Sequence, residues 1–87
     1  MEKMKNDILT IGSIITADGK DLMICAYIKK DALVDNKHFD YACCLYPVGL
    51  SKEAILVKKD QIRRVKFIGF QDSRFVDLKK ELVKENE

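Results

Sequence analysis

The chain has 87 residues, of which 47% are hydrophobic and 34% are charged, and its formal net charge at pH 7 is +2. This length suits one small domain with a single core, and this composition excludes intrinsic disorder. The balance of 16 basic against 14 acidic residues is too even to indicate nucleic acid or an anionic membrane as a partner. No apolar run approaches the ~20 residues that cross a bilayer, so no membrane association is predicted.

The cysteine content points to a reducing compartment. The chain carries three cysteines, and the stretch "MEKMKNDILTIGSII" has no small-residue cleavage site after its short, interrupted apolar run. An odd number of cysteines without a secretory signal is typical of free thiols in the cytoplasm. We therefore expect a cytoplasmic protein without disulfide bonds.

Apolar periodicity predicts five short strands in the first 70 residues. The first is rich in β-branched residues and leads into "DGK", a tight-turn signal. The second is apolar on both faces, which indicates a strand that is central or covered on both sides. Residues 31–38 are polar and predict a hairpin loop. The predicted strands are residues 11–17, 22–30, 39–46, 53–59 and 63–70.

The pattern changes to a helical period after Gly69. Either Asp72 or Ser73 can cap the first turn of a helix by accepting hydrogen bonds from its free N–H groups. Apolar residues at helical spacing form a stripe on one side of this helix, and polar residues lie on the opposite side. This pattern predicts an amphipathic helix packed on its own sheet or on a partner. The stripe consists of Phe75, Val76, Leu78, Leu82 and Val83.

Strands without intervening helices favour an antiparallel sheet. The sequence therefore predicts an α+β fold: a five-stranded antiparallel meander, strongly curled or forming a small partly open barrel, with one C-terminal amphipathic helix. We expect a single domain over residues 1–87, with a tail at 1–9, the sheet at 11–70 and the helix at 72–84.

The reactive side chains do not form a recognisable catalytic or metal site. Cys43 and Cys44 are adjacent on a predicted strand, so they point to opposite faces, and only Cys25 and His38 could join them. These residues lack the spacing of a zinc site or of a redox-active CxxC pair. The four glycines are isolated, which argues against a phosphate-binding loop. We therefore predict no catalytic residue, no metal and no cofactor.

The turn "YPVGL" carries two interpretations. Pro47 suits the second position of a β-turn that begins at Tyr46 and places Gly49 fourth. Proline also ends a strand, because it lacks the N–H that a central ladder needs. The turn is either a plain strand terminus or a rigid, aromatic-edged loop that contacts another protein.

A basic cluster in "KKDQIRRVKF" offers an alternative function. Its cations are interleaved with Phe67 and Phe70, a pattern that fits a nucleic-acid-binding face on a small barrel. Cations that alternate with apolar residues also form ordinary solvated strand faces that protect a sheet edge. The cluster consists of Lys58, Lys59, Arg63, Arg64 and Lys66.

Four segments, "IGSII", "LMICAYI", "FDYACCLYPVGL" and "DQIRRVKFIGFQD", together resemble the domain of unknown function family 4176, short cytoplasmic proteins of Gram-positive bacteria. The resemblance covers residues 11–72. Its most specific positions are Asp40, Tyr41, Cys44, Tyr46, Pro47, Gly49, Val65, Phe67, Gly69 and Phe70.

The resemblance implies a role, because such proteins are often encoded beside type VII secretion genes and their LXG toxins. It implies a non-enzymatic accessory or chaperone-type protein that binds an LXG toxin before export. A nucleic-acid-binding barrel and a toxin-neutralising immunity protein are the alternatives, and the oligomeric state stays open. The partner-binding residues that we predict are Tyr46, Pro47, Val48, Gly49, Arg63, Arg64, Lys66 and Phe70.

This chain departs from the family's pattern at two places. Arg63 and Arg64 follow the turn isoleucine where the family tends to carry acidic residues, and Val48 stands where an acidic residue is common. Charge at the rim of an interface sets specificity and association rate more than affinity. If these positions face the partner, we expect an acidic or mixed partner surface.

Overall fold

The structure, a computed structural model, describes residues 8–29, 32–50 and 53–85, with side chains as far as residue 82. Three predictions lie outside the described residues: the tail over residues 1–7, the junction of the second strand and its loop at 30–31, and the Val83 side chain on the helix stripe. The strands are β1 (Ile14–Ala17), β2 (Lys20–Tyr27), β3 (Tyr41–Leu45), β4 (Ile55–Val57) and β5 (Ile62–Phe67), and the helix is α1 (Ser73–Glu85).

The five strands form one antiparallel sheet in the order β4-β3-β2-β1-β5. The α+β prediction is confirmed, and the first four strands are a meander. β5 does not continue the meander beside β4. It pairs instead with β1, because the 3₁₀ turn Lys59–Gln61 after β4 does not form a hairpin. This turn carries the chain from one edge of the sheet to the other.

The sheet is strongly curled but does not close into a barrel. Val57 of β4 belongs to the same buried cluster as Ile62 and Val65 of β5, although the two strands lie at opposite edges. The outer strands of a flat five-stranded sheet are ~19 Å apart, and a turn containing 3₁₀ residues of ~2 Å rise cannot readily bridge that distance. Curling brings the edges together around one core, and the two edge strands remain unpaired with each other.

The concave side of the sheet holds the core. The buried side chains there come from all five strands and from the segment before β1. They are Leu9, Ile15, Ala17, Leu22, Ile24, Tyr41, Cys43, Val57, Ile62 and Val65.

A β-bulge in β2 changes which side chains face this core. Ile24 pairs with Cys43 whereas Ala26 pairs with Ala42, so Cys25 is the extra residue. Strict alternation along β2 would place Tyr27 on the face opposite Ile24, but the inserted residue reverses the facing of all the residues that follow it. Tyr27 therefore packs against the core.

Two tyrosine hydroxyls hold the segment before β1. The Tyr41 hydroxyl accepts a hydrogen bond from the Leu9 N–H at 3.1 Å, and the Tyr27 hydroxyl donates one to the Leu9 carbonyl at 2.8 Å. Ile8 and Leu9 are buried. The last two residues of the predicted tail thus belong to the fold, because both are buried and both backbone groups of Leu9 have partners.

The end of β5 is fastened to the approach to β1. Thr10 Oγ1 donates to the Phe70 carbonyl at 2.9 Å, and the Gly69 N–H donates to Ser13 Oγ at 3.1 Å. A Cβ on Gly69 would stand 2.6 Å from the Ile11 carbonyl oxygen. The two backbones are in direct contact, so glycine is needed at position 69.

Helix α1 begins as the sequence predicts and lies largely free of the sheet. Asp72 Oδ1 accepts hydrogen bonds from the N–H groups of Arg74 at 3.0 Å and Phe75 at 3.3 Å, so Asp72 is the N-cap. Among the described residues α1 makes only sparse contacts with any strand, and Val76 and Leu78 of its apolar stripe are exposed. No helix within the described ranges is long and apolar enough to cross a membrane.

Candidate functional site

The convex side of the sheet, called the outer face below, carries a polar row of side chains near the β1–β2 turn. Arg64 of β5 is the register partner of Thr16 of β1, which is in turn the partner of Asp21 of β2. Side chains at paired positions of antiparallel strands project from the same face. The row continues to Tyr46, whose N–H donates to the Asp21 carbonyl at 3.0 Å.

A second row on the outer face is apolar. Phe67 pairs with Ile14, Ile14 with Met23, and Met23 with Cys44. Phe67 is 61% exposed, Ile14 and Met23 are half-buried, and Cys44 is buried. A row of four apolar side chains therefore crosses the sheet beside a row of charged and polar ones, an arrangement typical of a protein-binding surface.

The predicted site residues after β3 lie at one end of the polar row. Tyr46 is 52% and Val48 76% exposed, and Pro47 is also exposed. The Tyr46–Pro47 peptide bond is cis, and Gly49 has a φ of +93°. The Gly49 N–H donates to the Leu45 carbonyl at 2.7 Å, so the turn begins at Leu45 and the predicted start at Tyr46 is wrong. The start of the turn depends on the pairing of Leu45, the last residue of β3, with Gly49. The position of Pro47 in the sequence does not reveal that pairing.

The predicted site residues of β5 divide between the rows. Arg64 lies in the polar row, and Lys66 reaches it through an ion pair with Asp21, at 3.1 Å between Nζ and Oδ2. Arg63 is exposed at a register shift of β5. Phe70 is 77% exposed just beyond the apolar row. The structure thus brings Tyr46, Arg64 and Lys66 to one end of the outer face and places Phe70 at the other.

The Asp21–Lys66 pair gives this site a defined electrostatic behaviour. The hydrogen bond from the Lys66 ammonium, aided by one from Thr16, lowers the pKa of Asp21 below its ordinary value of 3.8. A carboxyl whose pKa is depressed by folding stabilises the fold above its ordinary pKa. This contribution is lost as the pH falls through the folded-state pKa.

We expect Lys66→Ala to return the pKa of Asp21 towards 3.8, because the largest cause of its depression is removed. Side-chain carboxyl chemical shifts followed by NMR between pH 2 and 6 would measure it. Lys80→Ala, on exposed α1, is the control and should leave Asp21 unchanged. An Asp21 titration that is the same in Lys66→Ala and in the parent chain would contradict the ion pair.

The sequence prediction missed most members of the apolar row. Ile14 and Met23 were assigned to strands but not to a site. Phe67 was noted beside the basic cluster and as a position of the family resemblance, but not as a partner-binding residue. The apolar character of both faces of β2 was the one sequence feature that pointed to this row. It could not be used without the register that aligns β5, β1, β2 and β3.

Two of the three thiols lie close together on the convex side. Cys25 Sγ is 3.3 Å from Cys44 Sγ, and Cys25 is exposed. Cys43 lies on the concave side, fully buried, and burial raises its pKa to about 12. The predicted separation of Cys43 and Cys44 onto opposite faces is confirmed. No group of three or more His, Cys, Asp or Glu side chains within the described ranges could hold a metal ion.

An open depression on another part of the surface contains His38. Asp40, which lies beside it, is already engaged: its Oδ2 accepts a hydrogen bond from the Lys59 N–H at 2.7 Å. This bond positions the 3₁₀ turn between β4 and β5. The depression is lined by Asn36, Lys37, His38, Asp40, Lys58, Lys59 and Asp60.

A comparison with protein families finds a match over most of the chain. The model of a family described as "Domain of unknown function (DUF4176)" matches residues 8–78. No curated protein and no solved structure matches the chain.

Proposed function

Because the chain belongs to the DUF4176 family, we propose that it is a non-enzymatic accessory protein of the cytoplasm that binds an LXG toxin of type VII secretion and holds it before export. The choice of an LXG toxin as the partner rests on the genes that commonly lie beside those of family members. The structure supports the more general part of the proposal, binding to another protein.

Exposed apolar side chains at and beyond the β5 end of the apolar row carry this proposal. Phe67 and Phe70 expose 61% and 77% of their surfaces to water, and Ile11, whose carbonyl oxygen lies next to Gly69, exposes 50%. Burying apolar surface stabilises a complex by about 25 cal/mol per Å² before the costs of association are subtracted. A chain of this size gains solubility by hiding such side chains, so their exposure indicates a surface that another molecule covers.

The charges around the row favour a particular kind of partner. Arg63 and Arg64 are exposed at the β5 edge, and no acidic side chain among the described residues forms an ion pair with either. Asp21, at the centre of the polar row, is held by Lys66. The rim is thus positive where β5 borders the solvent, which fits an acidic or mixed partner surface.

Helix α1 supplies a second apolar surface. Val76 and Leu78 expose 47% and 41% of their surfaces, and Phe75 is half-buried. An amphipathic helix with an uncovered stripe can lie in a groove of a partner. Such a helix suits a chaperone, which shields an apolar segment of its client until export.

The proposal is tested by capture of the partner from native lysate of the producing cells, with and without nuclease. We expect a stoichiometric LXG toxin that resists nuclease, identified by mass spectrometry, and lower toxin solubility when this chain is absent. Nucleic acid that disappears with nuclease, without a toxin, would overturn the proposal and point to the basic cluster. A complex with the toxin's active domain that protects cells from killing would establish an immunity protein instead.

The rim charges are tested by the double variant Arg63→Glu, Arg64→Glu. We expect it to associate with the toxin at least about tenfold more slowly at low salt, with a smaller difference at high salt, because attraction becomes repulsion. Stopped-flow or surface-binding kinetics would measure it. The control is Lys29→Glu, Lys37→Glu, which makes the same charge change at exposed positions away from β5. Equal association rates for the two double variants would contradict an acidic partner surface.

A further inference from the structure

Cys25 and Cys44 are placed for a reaction with each other. Their sulfur atoms are 3.3 Å apart, less than the sum of two sulfur radii, whereas the bond in a disulfide is about 2.05 Å long. Cys25 is the extra residue of the β2 bulge, and Cys44 lies on the neighbouring strand as the partner of Met23. A shift of little more than 1 Å at the bulge would join them, and a bulge is the part of a strand that most easily adjusts.

The two thiols differ in access to reagents. Cys25 is exposed, whereas Cys44 is 5% exposed and its sulfur contacts that of Cys25. Cys43 is fully buried on the other side of the sheet. An external reagent therefore reacts with Cys25 first. Cys44 then reacts only with a Cys25 that has already been modified, and Cys43 is protected from the reagent by burial.

We propose that Cys25 and Cys44 are a reversible thiol–disulfide pair, oxidised by low-molecular-weight disulfides. The Cys25 thiolate attacks one sulfur of the reagent R–S–S–R, which forms a mixed disulfide on Cys25 and releases RS⁻. The Cys44 thiolate then attacks the Cys25 sulfur and releases the second RS⁻. The two protein thiols lose two electrons and two protons, and one reagent disulfide becomes two thiols.

The disulfide would link β2 to β3 at the Cys44 end of the apolar row of the outer face. It would also close the loop 26–43 covalently, which restricts the unfolded chain. Oxidation would thus make the sheet more rigid at the bulge and remove the only exposed thiol among the described residues. This inference does not depend on the identity of any partner.

The experiment treats the folded full chain with oxidised glutathione at pH 8.5 and follows its mass and free thiols. We expect a monomer that has lost two hydrogen atoms and keeps one free thiol, Cys43, accessible only after denaturation. Dithiothreitol should restore all three thiols. The melting temperature of the oxidised form should rise by about 5–10 °C.

Matched variants separate the proposal from simple surface reactivity. In Cys44→Ser the mixed disulfide with glutathione should persist on Cys25, and in Cys25→Ser no thiol should react in the folded state. Cys44→Ala is a second variant in case serine at this buried position unfolds the chain. A stable glutathione adduct on the parent chain, a disulfide-linked dimer through Cys25, or no reaction would each overturn the proposal.

Discussion

Gly69→Ala is expected to lower the free energy of unfolding by about 3 kcal/mol, one of the largest effects of any single substitution in this chain. The new Cβ would stand 2.6 Å from the Ile11 carbonyl oxygen and 2.9 Å from the Gly12 carbonyl carbon. Both obstacles are backbone atoms, which cannot rotate away as a side chain can. The Gly69 N–H bond to Ser13 would have to lengthen for the strands to separate. Urea unfolding followed by circular dichroism would measure the loss.

Gly19→Ala is the matched control for this substitution. Gly19 has a φ of +72° but no atom within 4 Å of the position of a Cβ, so the change adds backbone strain without a steric clash. We expect it to cost about 1 kcal/mol. If Gly69→Ala were no more destabilising than Gly19→Ala, the close contact between the end of β5 and the approach to β1 would be wrong.

Phe67→Asp is expected to weaken binding of the proposed toxin partner at least about tenfold while leaving the stability of the chain within about 0.5 kcal/mol. The side chain is 61% exposed on the outer face and does not belong to the core cluster. An aspartate there would place a charge at the β5 end of the apolar row, where a covering partner would desolvate it. Isothermal titration with the captured toxin would measure the affinity.

Leu33→Asp makes the same chemical change at a distant site. Leu33 is 53% exposed in the loop that precedes β3, away from the outer face. We expect this variant to bind as the parent chain does. Equal losses in both variants would indicate a general effect of added charge, and unchanged binding in Phe67→Asp would place the interface elsewhere, with the α1 stripe as the next surface to mutate.

Local patterns in the sequence predicted the elements of this fold well. Each of the five predicted strands overlaps an observed one, and α1 starts at the predicted Asp72 cap. These features depend on neighbouring residues: alternation, turn chemistry at Asp18 and Gly19, and a side chain that accepts hydrogen bonds from the first helical turn. Information of this kind is present in any short window of sequence.

Features that depend on distant partners were not predicted. The sequence gives no local sign that β5 returns to β1, that a bulge at Cys25 reverses the facing of Tyr27, or that Ile8 and Leu9 are buried. The candidate site depends on the same information. Tyr46 and Lys66 were predicted as site residues for separate reasons, and only the register through Asp21 shows that they lie together.

Several of the positions that carry the resemblance to the family have structural tasks. Asp40 holds the 3₁₀ turn through the Lys59 N–H, Tyr41 binds the Leu9 backbone, and Gly69 allows the close approach to Ile11. These residues specify the scaffold. The specificity for a partner is therefore better sought at exposed positions such as Arg63 and Arg64, where this chain departs from the family's pattern without disturbing the fold.

The fastening of the first described residues has a consequence for how the chain folds. Leu9 is held by Tyr27 and Tyr41, and Thr10 by the Phe70 carbonyl, 60 positions later. Contacts so distant in sequence form late and slow the folding of a small domain. During synthesis the segment at Leu9 and Thr10 must wait until Phe70 has left the ribosome. A nascent chain that stops short of Phe70 would leave that segment incompletely anchored, open to chaperones and proteases.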